Sequence, residues 1–127
     1  MTEKEEYQRE VRVIALEKDN KRLLRIYHRG EEKDRLLEST INIVSERVSY
    51  ALSSSVQMDL LDRVPTLEER IRYFFEEYYF DNVPTASKSD IRYYIEALKR
   101  FLVILHREGE IDDDTFDSLF SMLFEYL

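Results

Sequence analysis

The sequence predicts an all-α fold, a bundle of about five helices built from two helical hairpins, with residues 1–127 as a single helical domain. Three observations carry this reading. Apolar residues recur at spacings of three and four through most of the chain, the period that gathers them on one face of a helix. Capping residues stand at the ends of these periodic runs. A short internal similarity between RLLRIYHRGEEKD and RFLVILHREGEIDDD favours a helix in the one ambiguous region, the N-terminus.

Residues 1–30 read in two ways. As a helix, Thr2 and Glu5 form a capping box, and Val13, Leu16, Asn20, Leu23 and Tyr27 fill a heptad seam carrying one polar Asn, as in a coiled coil. As a β-hairpin over 10–29, Asp19-Asn20 supplies the turn, and Val11, Val13, Ala15, Leu24 and Ile26 share a face; the β-branched run at 11–14 favours this α+β alternative. The internal similarity supports the helix, because its second copy is helical. Shared capping chemistry, a basic residue and then Gly at a helix end, would produce the same likeness.

Between Glu31 and about Ser54, the residues Leu37, Ile41, Val44, Val48 and Ala51 mark an amphipathic helix that the Ser53-Ser54-Ser55 run ends or bends. Thr66 and Glu69 have capping-box spacing and open a third helix with an inner face of Leu67, Ile71, Phe74, Phe75 and Tyr78. The chain leaves it through Asn82, Val83 and Pro84. From Ser89, a good N-cap, to about Glu108, a fourth helix turns Ile91, Tyr94, Ile95, Leu98, Phe101, Leu102 and Leu105 inward, and Gly109 ends it. Asp112 or Asp113 caps the last helix, whose apolar face is Phe116, Leu119, Phe120, Leu123, Phe124 and Leu127. The tail from Leu105 to Leu127 resembles short C-terminal helical-hairpin modules, in which a helix, a Gly, an Ile with acidic residues and a Phe lead into a second helix. The resemblance implies oligomerisation or docking.

Composition excludes several classes. Apolar residues make up 43% of the chain, too many for disorder, and there is no cysteine, so no disulfide framework, thiolate nucleophile or zinc-thiolate site is possible. No apolar run reaches the ~18 residues of a membrane span, and MTEKEEYQRE lacks the features of a signal peptide, so a cytoplasmic protein is expected. Scarce Gly, Asn, Gln and Met beside abundant charge resemble the composition of proteins from hot environments. The net charge of -8 is uneven: residues 1–30, a basic N-terminal element, balance to +2, leaving -10 on the acidic helical core of 31–127.

Candidate chemistry is sparse. Glu110, Asp112, Asp113, Asp114 and Asp117 supply oxygens for a hard cation, but consecutive carboxylates opening a helix fit capping better than the alternating ligands of a calcium loop. His28 and His106, the only histidines, each precede an Arg at an expected helix end, where interaction with the free carbonyls accounts for them. With two glycines and no nucleophile or phosphate-loop motif, the chain reads as non-enzymatic, with no cofactor, no metal and no small-molecule substrate. The expected function is a helical protein-protein interaction module, a homo-oligomer or a small subunit of a larger assembly. Tyr73, Tyr79 and Phe80, from a run with six aromatic residues in eight positions that one helix face cannot bury, are expected at its interface together with Leu37 and Ile41. The alternative is a nucleic-acid-associated accessory protein whose Lys18, Lys21, Arg22, Arg25 and Arg29 contact phosphates, weakened by the interleaved Glu17 and Asp19.

Overall fold

The computed structural model describes residues 2–60, 63–82 and 88–127. Helix α1 is Glu3–Lys33 and α2 is Glu38–Ser53, followed by a 3-10 turn at Ser54–Gln57. Helix α3 runs over 67–82: α-helical at Leu67–Tyr73, a π-helical turn at Phe74–Tyr78, and α-helical again at Tyr79–Asn82. Helix α4 is Lys88–Arg107 and α5 is Asp113–Phe124. The fold is an all-α bundle of five helices, 83% helical, with no strand among the described residues.

The N-terminal segment is therefore one helix of 31 residues, about 46 Å long, and the β-hairpin alternative for 10–29 does not form. The burial pattern gives the reason. A hairpin would cover Val11 and Ala15, but both are exposed, while Leu16, Asn20, Leu23 and Tyr27, spaced four, three and four apart, are buried. Thr2 caps the helix by accepting from the Glu5 backbone N–H at 3.2 Å, with Glu3, Glu5 and Glu6 in the first turn to complement the dipole.

Gly30 does not end this helix. A Cβ there would run into Cγ2 of Ile104, so the glycine allows α1 and α4 to approach closely. The chain turns at Arg35, which adopts φ 57; its N–H donates to Glu32 O at 3.1 Å and that of Leu36 to Glu31 O at 3.4 Å, the Schellman pattern. Helix α4 ends in the same pattern, with Gly109 at φ 81 and Glu110 N donating to Leu105 O at 2.9 Å. The two hairpins, α1–α2 and α4–α5, thus close by one device, but at Arg35 in the first and at Gly109 in the second.

The serine run ends α2 by folding hydroxyls back onto carbonyls: Ser53 onto Tyr50, Ser54 onto Ala51 and Ser55 onto Leu52. The capping box of α3 closes in both directions, Glu69 N to Thr66 Oγ1 at 3.2 Å and Thr66 N to Glu69 Oε1 at 2.8 Å, and Arg63 clamps the same carboxylate at 2.5 and 2.7 Å. The exit expected at Val83 and Pro84, and the cap expected at Ser89, lie outside the described residues and side chains.

Helix α4 is the centre of the bundle, packed by α1, α2 and α5. Ile91, Ile95, Leu98, Phe101, Leu102 and Leu105 are buried as expected, and so are Ala97 and Ile104 on its flank, because neighbours cover it on several sides. Two buried polar groups tie the elements together. Arg70 on α3 donates to Asp19 Oδ2 at 2.7 Å, Asn20 Oδ1 at 3.0 Å and Pro65 O at 3.0 Å, and Asn20 in turn donates to Leu52 O at 3.4 Å. The polar Asn of the heptad seam is therefore satisfied within its own chain. Glu31, fully buried, accepts from the Tyr27 hydroxyl at 2.8 Å and from Arg100 Nε at 2.9 Å.

Candidate functional site

Helix α1 has two apolar faces. Its inner seam is used by the bundle. About half a turn away, Tyr7, Val11 and Ile14 follow at spacings of four and three, and they are 69%, 48% and 53% exposed. The same spacing continues into Lys18, Lys21 and Arg25, with Arg29 one turn further, all exposed. The outer face of the helix is thus apolar over its first half and basic over its second.

Charge on the basic half divides into two groups. Arg22 is engaged, donating to Asp19 at 2.9 Å and pairing with Glu110 at 2.7 Å; these bonds hold its guanidinium above its ordinary range. Burial would raise the Asp19 carboxyl, but hydrogen bonds from Arg70 and Arg22 outweigh it and hold the group below its ordinary value. Among the described residues, no ion pair or hydrogen bond engages Lys18, Lys21, Arg25 or Arg29.

The expected interface residues separate. Leu37 stands at the N-cap of α2, 73% exposed, and Phe80 near the end of α3 is 58% exposed. Tyr73 is half-buried. Ile41 and Tyr79 belong to the core and present nothing to a partner, which corrects their place at the interface. The π-turn explains Tyr79. In an α-helix five residues rotate through about 500°, which would carry Tyr79 well away from Phe74. Here the Tyr79 N–H bonds Phe74 O across the wider turn and returns the ring over Phe74, with centroids 5.7 Å apart.

A second exposed surface lies on α5. Its buried stripe is Leu119, Met122 and Leu123, so Phe116, Phe120 and Phe124, expected to share the inner face, stand on its shoulder as a partly exposed ladder. His106 stacks on Phe116 at 4.5 Å, and the Lys99 ammonium lies 5.7 and 5.3 Å from the rings of Phe120 and Phe124. Asp113 and Asp117 are exposed along the same ladder. The carboxylates of this region act singly: Asp112 caps α5 through Thr115 N at 2.7 Å, Asp113 pairs with His106 at 2.6 Å and Glu110 pairs with Arg22. Among the described residues, no group of three or more His, Asp or Glu is placed to hold a metal ion.

Among the described residues, the concavities of about 360, 450 and 550 Å³ are shallow grooves open to solvent, the second of them over Lys18, Lys21, Arg22 and Arg25, and the more enclosed one is smaller. A cleft of about 200 Å³ between α1 and α2, lined by Asn20, Leu24, Ser49 and Ser53, falls below the usual ~300 Å³ of a ligand pocket. Tyr50 sits among Phe74, Tyr78 and Tyr94, and burial together with a hydrogen bond to Tyr78 pushes its hydroxyl up to about 12.

The sequence did not mark Tyr7, Val11 and Ile14 as an interface: Val11 and Ile14 entered only through the β-hairpin alternative, and Tyr7 not at all. The signal was present, because their spacing repeats that of the buried seam, but a helix with one apolar face already assigned hides a second.

Fold and surface together define a helical bundle whose distinctive features run along helix faces. Set against known proteins, the chain matches no family model, no curated protein and no solved structure. No helix among the described residues is long and apolar enough to cross a membrane.

Proposed function

We propose that this chain is a non-enzymatic helical protein-protein interaction module that docks through the outer face of α1, forming a homo-oligomer or serving as a small subunit of a larger assembly. One observation carries the reading: Tyr7, Val11 and Ile14 lie exposed in a line at helical spacing, continuous with unengaged cations. A solvated helix face is ordinarily polar, and a single exposed apolar residue needs no explanation. Three in register form a stripe of the kind that amphipathic helices bury against one another. Replacing Val11 and Ile14 together by Asp should abolish association while leaving the helical circular dichroism unchanged, since neither residue belongs to the core. Unchanged association, read by light-scattering mass, would reject the docking face.

The second reading, nucleic-acid association, rests on Lys18, Lys21, Arg25 and Arg29 standing in line without partners. Replacing Lys18, Lys21 and Arg25 by Ala should then lower affinity for a mixed DNA and RNA fragment and flatten its salt dependence. Binding that is absent at low salt disposes of it.

A further inference from the structure

We infer that the outer face of α1 packs antiparallel on the phenylalanine ladder of α5 in a second copy of this chain; the inference rests on the α1 docking face proposed above. The two faces are complementary in order along the helix. From its N-terminus α1 runs from apolar, at Tyr7 and Val11, to basic, at Lys18, whereas α5 runs from acidic, at Asp113, to aromatic, at Phe120 and Phe124. Laid antiparallel, the apolar ends meet and the opposite charges meet.

The spacing agrees as well. Tyr7, Val11, Ile14 and Lys18 step by four, three and four; Phe124, Phe120, Asp117 and Asp113 step by four, three and four. At 1.5 Å per residue each set spans about 17 Å, so the side chains stay in register without either helix bending. Ile14 falls opposite Asp117 with the ring of Phe116 beside it. Within one molecule α5 packs on α4. The α1 face is exposed, and on α5 Asp113, Asp117 and Phe124 are exposed and Phe120 is half-buried, so docking has only to move the Lys99 side chain off Phe120 and Phe124 and to compete with His106 for Asp113.

Nucleic acid would use only the basic half and leave Tyr7, Val11 and Ile14 in water. A second copy covers both halves and supplies the missing charge. Because the faces differ, the contact is heterologous, and each chain offers one of each kind, so copies pair by two such contacts or extend head to tail.

The test is light-scattering mass across a concentration series for the wild type, for Lys18→Glu with Lys21→Glu, for Asp113→Lys with Asp117→Lys, and for an equal mixture of the two variants. All four positions are exposed, and circular dichroism checks that each variant is folded. The wild type should exceed monomer mass, each charge reversal should weaken association at least about tenfold, and the mixture should restore it. A wild type that is monomeric at every concentration overturns the inference. So does an α5 reversal that associates like the wild type while Val11→Asp with Ile14→Asp does not; the α1 face then stands but docks elsewhere. If neither reversal nor the Val11 and Ile14 change alters association, the inference and the α1 docking face fall together.

Discussion

Gly30 and Arg35 exchange the places their residue types suggest. The glycine lies inside α1, where a helix would prefer Ala by about 1 kcal/mol, and the arginine occupies the left-handed position a glycine would fill. Contact decides the first case. Gly30→Ala should destabilise the fold by up to about 2 kcal/mol in urea titration, because Ile104 is β-branched and stiff at χ1: overpacking of this kind costs about 1–3 kcal/mol, against the roughly 1 kcal/mol by which the helix favours Ala. Arg35→Gly should act oppositely. It relieves about 1–2 kcal/mol of left-handed strain against the glycine's larger unfolded-state entropy, for a net gain of about 0.5–1 kcal/mol. A loss on Arg35→Gly would show that the arginine side chain contributes more than its backbone costs.

At the scale of the element, α3 shows local chemistry and tertiary packing acting on one helix. Its start is local: Thr66, Glu69 and Arg63 close on one another within six residues. Hydrogen bonds from Arg63 and then from the Thr66 backbone hold the Glu69 carboxyl down from 4.5 to about 2. A depressed carboxyl contributes stability that is complete above its unfolded value and is lost as the pH falls. The cap should therefore weaken between pH 4.5 and about pH 2. Glu69→Gln keeps a capping side chain and removes the charge. Thermal melts should show the wild type above this variant at pH 7 and the two converging near pH 2; a constant gap would mean the ion pair contributes nothing. The middle of α3 is not local, because the π-turn that returns Tyr79 to the core is visible only once Phe74 has neighbours on both sides.

Across the whole molecule, Arg70 links α3 to α1 and, through Asn20, to the end of α2. Arg70→Ala would leave Asn20 Oδ1 and Pro65 O short of a donor inside the protein and Asp19 without its main counter-ion. Breaking a buried pair costs about 3–5 kcal/mol, and because Asp19 is partly exposed the loss should lie near the lower end, about 3 kcal/mol. Equilibrium unfolding measures it, and a change below about 1 kcal/mol would show that water replaces the guanidinium. The same network explains why the heptad seam of α1 does not form a coiled coil with another molecule: its polar position is already satisfied, and Leu16, Leu23 and Tyr27 are covered by the chain's own helices.

Periodicity and capping in the sequence were enough to determine an all-α chain, the caps at Thr2, Thr66 and Asp112, the turn at Gly109 and the inward face of α4, because each depends on residues within a turn or two of one another. The tertiary structure decided which of several apolar faces is covered. It settled 10–29 as helix by burying Leu16 and Tyr27, ran α1 through Gly30 because Ile104 lies against it, drew Ile41 and Tyr79 into the core, and left Tyr7, Val11, Ile14 and the ladder of α5 outside. The physical reason is one of area. A helix shows its periodicity on every face that carries apolar residues, but only neighbours that arrive from distant parts of the chain determine which face is removed from water.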